Sequence, residues 1–248
     1  MSDTTPTQTP RPLVDDDFTS LTDASDPFST GISALDTALG GGIPPGSGVM
    51  IQCPAASPAE RIAYSIATEA SHPTLYAATT HDTALLDGNL EWEQRHSSES
   101  THDPVFKTAP LLDAPDASRY IPVLESPADC LPRFSQASIV VDSITEYPTS
   151  TDKLRGALSS FLSFTRKTSS IGCLLAHEAG VPDRQRRGRI AADTVDIVIE
   201  YQRASTKDGD DKLHIPKLRT PLDKANPLPI TIELDVEQTV EGTAGDTF

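Results

Sequence analysis

The apolar residues of this chain follow two different spacings. Several short runs are almost continuously apolar, which is typical of strands buried on both faces of a parallel sheet. These runs are Ser138–Val141, Ile171–Ala176 and Val195–Tyr201. Between such runs, residues 60–70 and 151–168 carry apolar side chains at the spacing of an amphipathic helix. The alternation predicts an α/β fold with a mainly parallel central sheet flanked by helices.

The same patterns predict the individual elements. Strands are expected at residues 47–52, 74–78, 119–125, 138–143, 170–176, 195–203, 213–219 and 229–234. Helices are expected at residues 33–39, where Ser33 can act as the N-cap, and at residues 60–70, 151–168 and 188–193. The Asp208-Gly209-Asp210 turn joins two of the last three strands, which we therefore expect to form an antiparallel C-terminal extension.

Other parts of the chain lack these patterns. Residues 1–27 are rich in Thr, Pro and Asp and predict a disordered acidic tail, and residues 235–248 predict an acidic C-terminal tail. Residues 28–234 are expected to form one domain of ordinary size. Within it, residues 81–118 are polar and acidic, with a short helix near Leu85–Trp92 and a flexible loop at Glu91–Asp103.

The excess of acidic over basic residues argues against some classes of function. The chain has 36 acidic and 20 basic residues, a net charge of −16, and its acids are spread along its whole length. Because lysine is scarce and apolar runs are present, this favours adaptation to high salt over disorder or nucleic-acid mimicry. A strongly negative chain is also a poor non-specific binder of nucleic acid.

The cysteines and the apolar runs bear on location and metal content. Cys53, Cys130 and Cys173 lack metal-ligand spacing and imply no disulfide framework, and Cys173 is expected in the core. The N-terminus lacks the apolar segment of a signal peptide, and no apolar run reaches the length of a membrane span. We therefore predict a cytoplasmic protein without a metal site or a membrane partner.

The segment between the first core strand and the next helix has the length of a phosphate-binding loop. Such a loop reads G-x-x-x-x-G-K-[ST], but every diagnostic residue is replaced here. The two prolines lack amide donors, an alanine replaces the lysine, and a glutamate that would repel phosphate replaces the hydroxyl residue. That glutamate also suits the first turn of a helix. The residues of this degenerate nucleotide loop are Cys53, Pro54, Ser57, Pro58, Ala59 and Glu60.

The glycine-rich segment before this loop resembles a known family. Residues 29–47 match the pattern S-T-G-I-x-x-L-D-x-x-L-G-G-G-I-P-x-G-S of the RecA-like ATPases, in their archaeal KaiC-like and RadA-like branch. Ile139–Ser143 is similar to the Walker B strand of that family, and Lys217–Thr220 is similar to its K-x-R-G strand. The resemblance covers residues 28–234 and implies a RecA-like three-layer fold.

The resemblance also implies which chemistry is missing. The catalytic glutamates of the family follow the second core strand, whereas Thr79-Thr80-His81 holds no carboxylate here. With the altered loop, this predicts a non-catalytic pseudo-ATPase without a cofactor. Its function is then the binding or regulation of a protein partner, for which a P-loop relative is one candidate.

Several candidate site residues have both a functional and a structural interpretation. The Walker B-like pair Asp142 and Ser143 either binds magnesium through water, as in the family, or makes local hydrogen bonds. The resemblance implies that Lys217 and Arg219 reach a nucleotide on a neighbouring subunit, and the alternative is a basic edge strand that resists aggregation. His177 ends a strand and is expected to make a polar contact at the carboxyl edge of the sheet.

An arginine-rich loop is the densest basic site of the chain. In recombinase relatives this region contacts single-stranded DNA, so phosphate contact is one hypothesis, beside an intersubunit salt bridge or an offset of nearby acids. Two further functions therefore stay open. One is a nucleotide sensor or weak ATPase that uses Ser57, Asp142 and Lys217 or a neighbouring subunit, with ATP and magnesium as ligands. The other is a DNA-associated, RadA-like recombinase paralogue that uses Arg184, Arg186, Arg187 and Arg189.

Overall fold

The structure of the protein is a computed structural model. It describes residues 26–54, 57–69, 73–78, 106–110, 123–130, 136–147, 149–178, 180–204, 210–219 and 229–234, with backbone alone at 106–110, 130 and 234. The strands in these ranges are β1 Gly48–Pro54, β2 Thr74–Ala78, β3 Phe106–Pro110, β4 Ser138–Asp142, β5 Ile171–Glu178, β6 Ile197–Gln202, β7 Asp211–Leu218 and β8 Ile230–Leu234. The helices are α1 Ser33–Ala38, α2 Glu60–Glu69, α3 Pro127–Cys130, α4 Thr151–Lys167 and α5 Pro182–Thr194.

The eight strands form one mixed sheet in the order β3-β2-β4-β5-β1-β6-β7-β8. The strands from β3 to β6 in this order run parallel, whereas β7 pairs antiparallel with β6 and β8 antiparallel with β7. The predicted mainly parallel sheet and its antiparallel C-terminal extension are confirmed. The buried strands explain the continuous apolar runs, because both faces of the parallel part are covered.

Alternate residues of each strand enter two separate cores. Val49, Ile51 and Cys53 of β1 lie in the core on the side of α1 and α2, while Met50 lies in the core on the side of α4 and α5. This follows from the two-residue period of a strand. Near the carboxyl ends of β2, β4 and β5, every second side chain therefore lies on the face that α2 covers.

Helix α4 packs its apolar stripe closely on the middle of the sheet. Leu158 and Phe161 are fully buried, and each such side chain contributes roughly 1.5–3 kcal/mol of transfer free energy. The helix can approach so closely because two strand positions are glycine. A Cβ atom at Gly172 would lie 2.3 Å from the Phe161 ring, and one at Gly48 would lie 2.3 Å from Leu162.

The segment before β1 is folded by local hydrogen bonds. Asp36 accepts bonds from the Ser29 hydroxyl at 2.9 Å and from the Thr30 amide at 2.8 Å. The predicted short helix is present, but Ser33 is not its cap: Ile32 is the N-cap residue and makes no side-chain cap bond. Through the two hydrogen bonds above, Asp36 instead fixes the residues that precede the helix. Residues 40–42 are glycines with φ between 80° and 127°, and they end the helix as expected.

The arginine-rich segment is not a loop. It forms most of α5, a 13-residue helix with proline in its first turn and Asp183 near its positive end. Arginine, glutamine and alanine have high helix propensity, but the segment lacks the apolar stripe from which helices are recognised. The predicted helix at residues 188–193 is therefore only its second half.

Two strand predictions also need correction. β1 continues through Cys53 and Pro54, which were assigned to the loop, because these residues pair with His177 and Glu178 of β5. In the opposite sense, residues 123–125 form a turn rather than the end of a strand at 119–125. β3 was not predicted, since its sequence shows neither a long apolar run nor alternation.

Several predictions concern residues outside the described ranges. These are the N-terminal tail up to residue 25, the stretches 79–105 and 111–122, the turn residues 208–209, and the C-terminal tail. Among the helices of the described part, none is both long enough and apolar enough to cross a bilayer.

Candidate functional site

The carboxyl ends of β1, β4 and β5 meet at one edge of the sheet, beside the start of α2. Ligands of open α/β sheets bind at such edges. Cys53 lies opposite His177 across the β1–β5 pair, and Asp142 of β4 lies opposite Leu175 of β5. Because Cys53 and His177 share a register position and Asp142 follows the same alternation, all three belong to the face that α2 covers. Glu60, the first residue of α2, completes the group.

The amide groups in the first turn of α2 form hydrogen bonds within that turn. The amides of residues 60, 61 and 62 donate to the carbonyls of residues 57, 58 and 59, each at 3.1 Å. These are 3₁₀-type bonds, which satisfy donors that an α-helix leaves open at its start. Open amides at this position are what a helix N-terminus offers to a phosphate. Ala59, where a phosphate-binding loop has its lysine, is buried with 1% exposure.

A carboxylate and an imidazole occupy the space in front of this turn. The Glu60 Oε1 atom lies 3.3 Å from His177 Nε2, and the Asp142 Oδ1 atom lies 4.0 Å from the same nitrogen. The side chains are nearly or fully buried, with 13% exposure for Glu60, 10% for His177 and none for Asp142. Two carboxylates close together in a low-dielectric site repel an anionic ligand. The polar contact expected of His177 at the sheet edge is therefore made with acids.

Tyr76 is a member of this cluster that the sequence analysis missed. Its hydroxyl donates to Asp142 Oδ2 at 3.0 Å, and both side chains are fully buried. Burial, and then the charge of Asp142, raises the pKa of the Tyr76 hydroxyl well above its ordinary value. The sequence could have identified Tyr76, because it lies two residues before the end of the predicted strand β2 and the alternation of strand side chains places it on the face of α2. Asp142 thus bonds a side chain of a neighbouring strand. Its two predicted interpretations, magnesium binding through water and a bond to the nearby backbone or Ser143, stay predictions.

The Ser143 hydroxyl lies within 2.5 Å of the Thr145 hydroxyl, in the turn that follows β4. The peptide bond between Asp142 and Ser143 is cis. Ser143 therefore contributes to the turn through its side chain. The predicted alternative, a role for Ser143 beside Asp142 in binding magnesium through water, stays a prediction.

Cys53 is fully buried at the base of the altered loop. Burial raises the pKa of its thiol from 9.0 to about 12, and the charges of Glu60 and Asp142 act in the same direction. The Ser57 hydroxyl partly offsets this rise, although it makes no hydrogen bond of good geometry in the described part of the chain. Such a thiol is protonated at neutral pH and is a weak nucleophile.

A family comparison covers all of the elements described above. The model of a family of unknown function, DUF7125, matches residues 27–244. The chain belongs to this family. The matched DUF7125 region contains the glycine-rich segment, the altered loop and every strand of the sheet. No curated protein shows a significant match to the chain.

Lys217 of this DUF7125 protein is placed at a distance from the carboxyl-edge cluster. Between β4 and β7 lie three strands, so Lys217 is about 19 Å from Asp142 at the usual strand spacing. The β6–β7 pairing shifts register between Val198 and Glu200, next to Pro216, and Lys217 then reaches the face of α5. Ser57, Asp142 and Lys217 therefore do not meet within one chain. Whether Lys217 and Arg219 act on a neighbouring subunit stays a prediction.

The Lys217 ammonium closes the C-terminal end of α5. Its Nζ atom donates to the carbonyls of Ala192 at 2.5 Å and Asp193 at 3.1 Å, near the end of the helix at Thr194. Cations stabilise helix C-termini because the last carbonyls lack partners and carry partial negative charge. Partial burial, followed by the charge of Arg219, lowers the pKa of Lys217, while Asp196 and Asp193 act in the opposite direction.

Replacing Lys217 by methionine is expected to lower the free energy of unfolding by about 1–2 kcal/mol, because two carbonyls lose a charged donor. Urea denaturation followed by circular dichroism measures the change. Arg219→Gln is the matched control, since the Arg219 side chain is exposed and its backbone amide, which donates to the Asp196 carbonyl, is unchanged. Equal losses in the two variants would contradict a capping role for Lys217.

The four arginines of the predicted basic cluster divide into two pairs. Arg184 Nε bonds Glu146 at 2.7 Å, and the Arg187 guanidinium donates to the Tyr147 carbonyl, so this pair holds α5 to the β4–α4 connection. Arg186 and Arg189 are exposed on the opposite side of the helix. Sequence spacing alone did not separate the pairs, because all four were assigned to a loop.

The absence of a metal site, predicted for the whole chain, stays a prediction. Within the described residues, no three His, Cys, Asp or Glu side chains are arranged to hold a metal ion. The acids of the carboxyl-edge cluster are instead in contact with His177 and Tyr76.

Proposed function

We propose that this protein is a non-catalytic, RecA-like and KaiC-like pseudo-ATPase that acts by binding a protein partner. The observation that carries the proposal is the start of α2. Its first amides are bonded within the turn, and its first side chain is a mostly buried carboxylate beside His177. The partner is a protein under regulation, and a relative with an intact P-loop is the first candidate. The resemblance of residues 29–47 and the mainly parallel sheet support the RecA-like part of the proposal.

The electrostatics of the site oppose a nucleotide directly. A phosphate near Glu60 would meet a like charge, and two unit charges 4 Å apart repel by about 4 kcal/mol at an effective dielectric constant of 20. A working site supplies the opposite, since a lysine and open amides bind the phosphates and a hydroxyl binds magnesium. Here Ala59 supplies no cation and is itself buried. We therefore expect neither ATP binding in the micromolar range nor hydrolysis.

Calorimetric titration with Mg-ATP at high salt tests this proposal. The native protein is expected to show no saturable heat up to about 1 mM ATP, and a phosphate-release assay is expected to match the rate without protein. Micromolar binding by the native protein would overturn the proposal in favour of a nucleotide sensor.

Glu60→Gln is the informative variant for this titration. It removes the negative charge but leaves the amides of the first turn in their internal bonds, so we again expect no micromolar binding. Strong binding by this variant would mean that charge alone closes the site. The first turn would then be able to open its amides to a phosphate.

A further inference from the structure

Helix α5 buries little apolar surface, since Ile190 and Ala192 pack against the core only partly buried. Ala191 is the one buried residue among its 13 positions. A helix of this kind needs polar contacts to keep it in place, since it has no apolar stripe to bury. Arg187 and Lys217 supply such contacts near its middle and its end.

The residues on the outer side of α5 recur at helical spacing. Successive intervals of three, one, three and four residues place them on one stripe. All are exposed. They are Pro182, Gln185, Arg186, Arg189 and Asp193.

The two arginines of this stripe are available for an external ligand. Arg186 pairs with Asp152 at 3.4 Å, but both side chains are more than half exposed, and exposed pairs of this kind contribute little. Arg189 makes no side-chain hydrogen bond or ion pair with the described residues. Neither arginine is needed to hold the helix, in contrast to Arg184 and Arg187.

An exposed apolar side chain lies at the start of the same helix. Val181, the N-cap residue of α5, is 49% exposed and is the only large apolar residue so exposed in the described ranges. A single exposed valine is ordinary on a protein surface. Val181 directly precedes Pro182 and lies five and eight residues before the two arginines, so the same helix offers an apolar and a cationic contact.

We propose that this outer α5 face, formed by Val181, Arg186 and Arg189, docks an acidic segment of a protein partner. The inference rests on the proposed partner-binding function and names the surface that performs it. Guanidinium groups bind carboxylates in a bidentate fork, and an apolar side chain of the partner would pack on Val181. A carboxylate of the partner would replace the weak, exposed pair of Arg186 with Asp152.

A protein segment suits this face better than a nucleic acid. The stripe contains no aromatic side chain on which a base could stack. Binding of a nucleic acid depends mainly on its dense phosphate charge, which the net charge of −16 on this chain opposes. A short peptide carries fewer charges and offers apolar side chains as well.

Fluorescence anisotropy with a labelled acidic peptide tests the proposal. The probe is a 12-residue peptide of four Glu-Glu-Leu repeats, titrated with the full chain at the lowest salt at which circular dichroism shows a native fold. We expect saturable binding that weakens with salt, at least tenfold weaker binding for Arg186→Gln with Arg189→Gln, and about threefold weaker binding for Val181→Ser. Lys153→Gln with Lys167→Gln removes the same charge from exposed sites on α4 and is expected to change binding less than twofold.

Each other outcome argues against the proposal. Absence of peptide binding by the native protein overturns it, as does an equal loss in the α4 control, which would indicate charge attraction without a site. Binding of a 20-residue thymidine oligonucleotide that depends on the same two arginines would assign the face to nucleic acid instead. Because the peptide contains no phosphate, its failure to bind and a positive ATP titration are separate results, and either proposal can fail without the other.

Discussion

Gly172→Ala is expected to lower the free energy of unfolding by about 2–3 kcal/mol, because the middle of the sheet has no room for one more carbon. The added Cβ would lie 2.3 Å from Phe161 Cε1 and 2.7 Å from its Cζ atom. Gly172 is in β5 between β4 and β1, and the fully buried Phe161 ring has little room to move away. Guanidinium denaturation of the native and variant proteins in the same salt measures the difference.

Gly156→Ala is the matched control for this prediction. Gly156 is an exposed residue inside α4, and a Cβ atom there would meet nothing within 4 Å. Alanine at such a position restricts the unfolded chain and favours the helix, so we expect a gain of about 0.5–1 kcal/mol. The same substitution is thus expected to have opposite signs at the two glycines.

The same substitution made in a Phe161→Ala protein shows which contact causes the loss of stability. In Phe161→Ala, which itself costs about 3–5 kcal/mol, the cavity left by the ring can accept the new methyl group. Gly172→Ala should then cost less than about 1 kcal/mol, and the difference measures the coupling of the two residues. A full loss in both backgrounds would show that strain in the strand backbone, not contact with the ring, causes the effect.

The thiols of Cys53 and Cys173 are expected to react with Ellman's reagent at least a hundredfold more slowly in the native protein than after unfolding. Burial raises the pKa of each thiol from 9.0 to about 12. At pH 8 this reduces the reactive thiolate fraction about a thousandfold, and burial also excludes the reagent. The measurement uses the Cys130→Ser variant, so that Cys53 and Cys173 are the thiols that remain.

Cys53→Ser in the same background separates the two sites. Any residual reaction of the native Cys130→Ser protein that this substitution removes belongs to Cys53, whereas reaction that persists belongs to Cys173. Rapid labelling of Cys53 would mean that the altered loop opens to solvent at the carboxyl edge. Slow labelling would agree with a closed site in which Cys53 performs no thiol chemistry.

The sequence predicted the parallel part of the sheet well, because strands buried on both faces leave a continuous apolar signature. The strand at Thr74–Ala78 was predicted with its observed bounds, and α4 was predicted to within one residue by its apolar stripe. The same reasoning did not predict β3 or the first half of α5. Among the described strands β3 pairs only with β2. Helix α5 buries few apolar side chains and is also held by ion pairs and a lysine cap, so neither element has the periodic apolar residues on which recognition depends.

The candidate site was predicted only in part. The replacement of the phosphate-binding residues is visible in the letters of residues 53–60, since a missing lysine and two added prolines need no coordinates. The contacts made by Glu60 with His177, and by Asp142 with Tyr76, are not visible, because these residues lie 117 and 66 positions apart and only pairing of the strands unites them. Sequence reasoning therefore described what the site lacks.

By itself the sequence determined that the chain forms an α/β sheet and that residues 53–60 lack the glycines, the lysine and the hydroxyl residue of a phosphate-binding loop. Both follow from local properties, namely the period of apolar residues and the donors and charges of single side chains. The tertiary structure decided what occupies that place: a Glu60–His177 contact beside Asp142, and a first helical turn whose amides bond to its own carbonyls. It also divided the four arginines into an inner pair that holds α5 and an outer pair that faces solvent. These outcomes depend on strand order and helix orientation, which long-range packing sets and a local pattern does not contain.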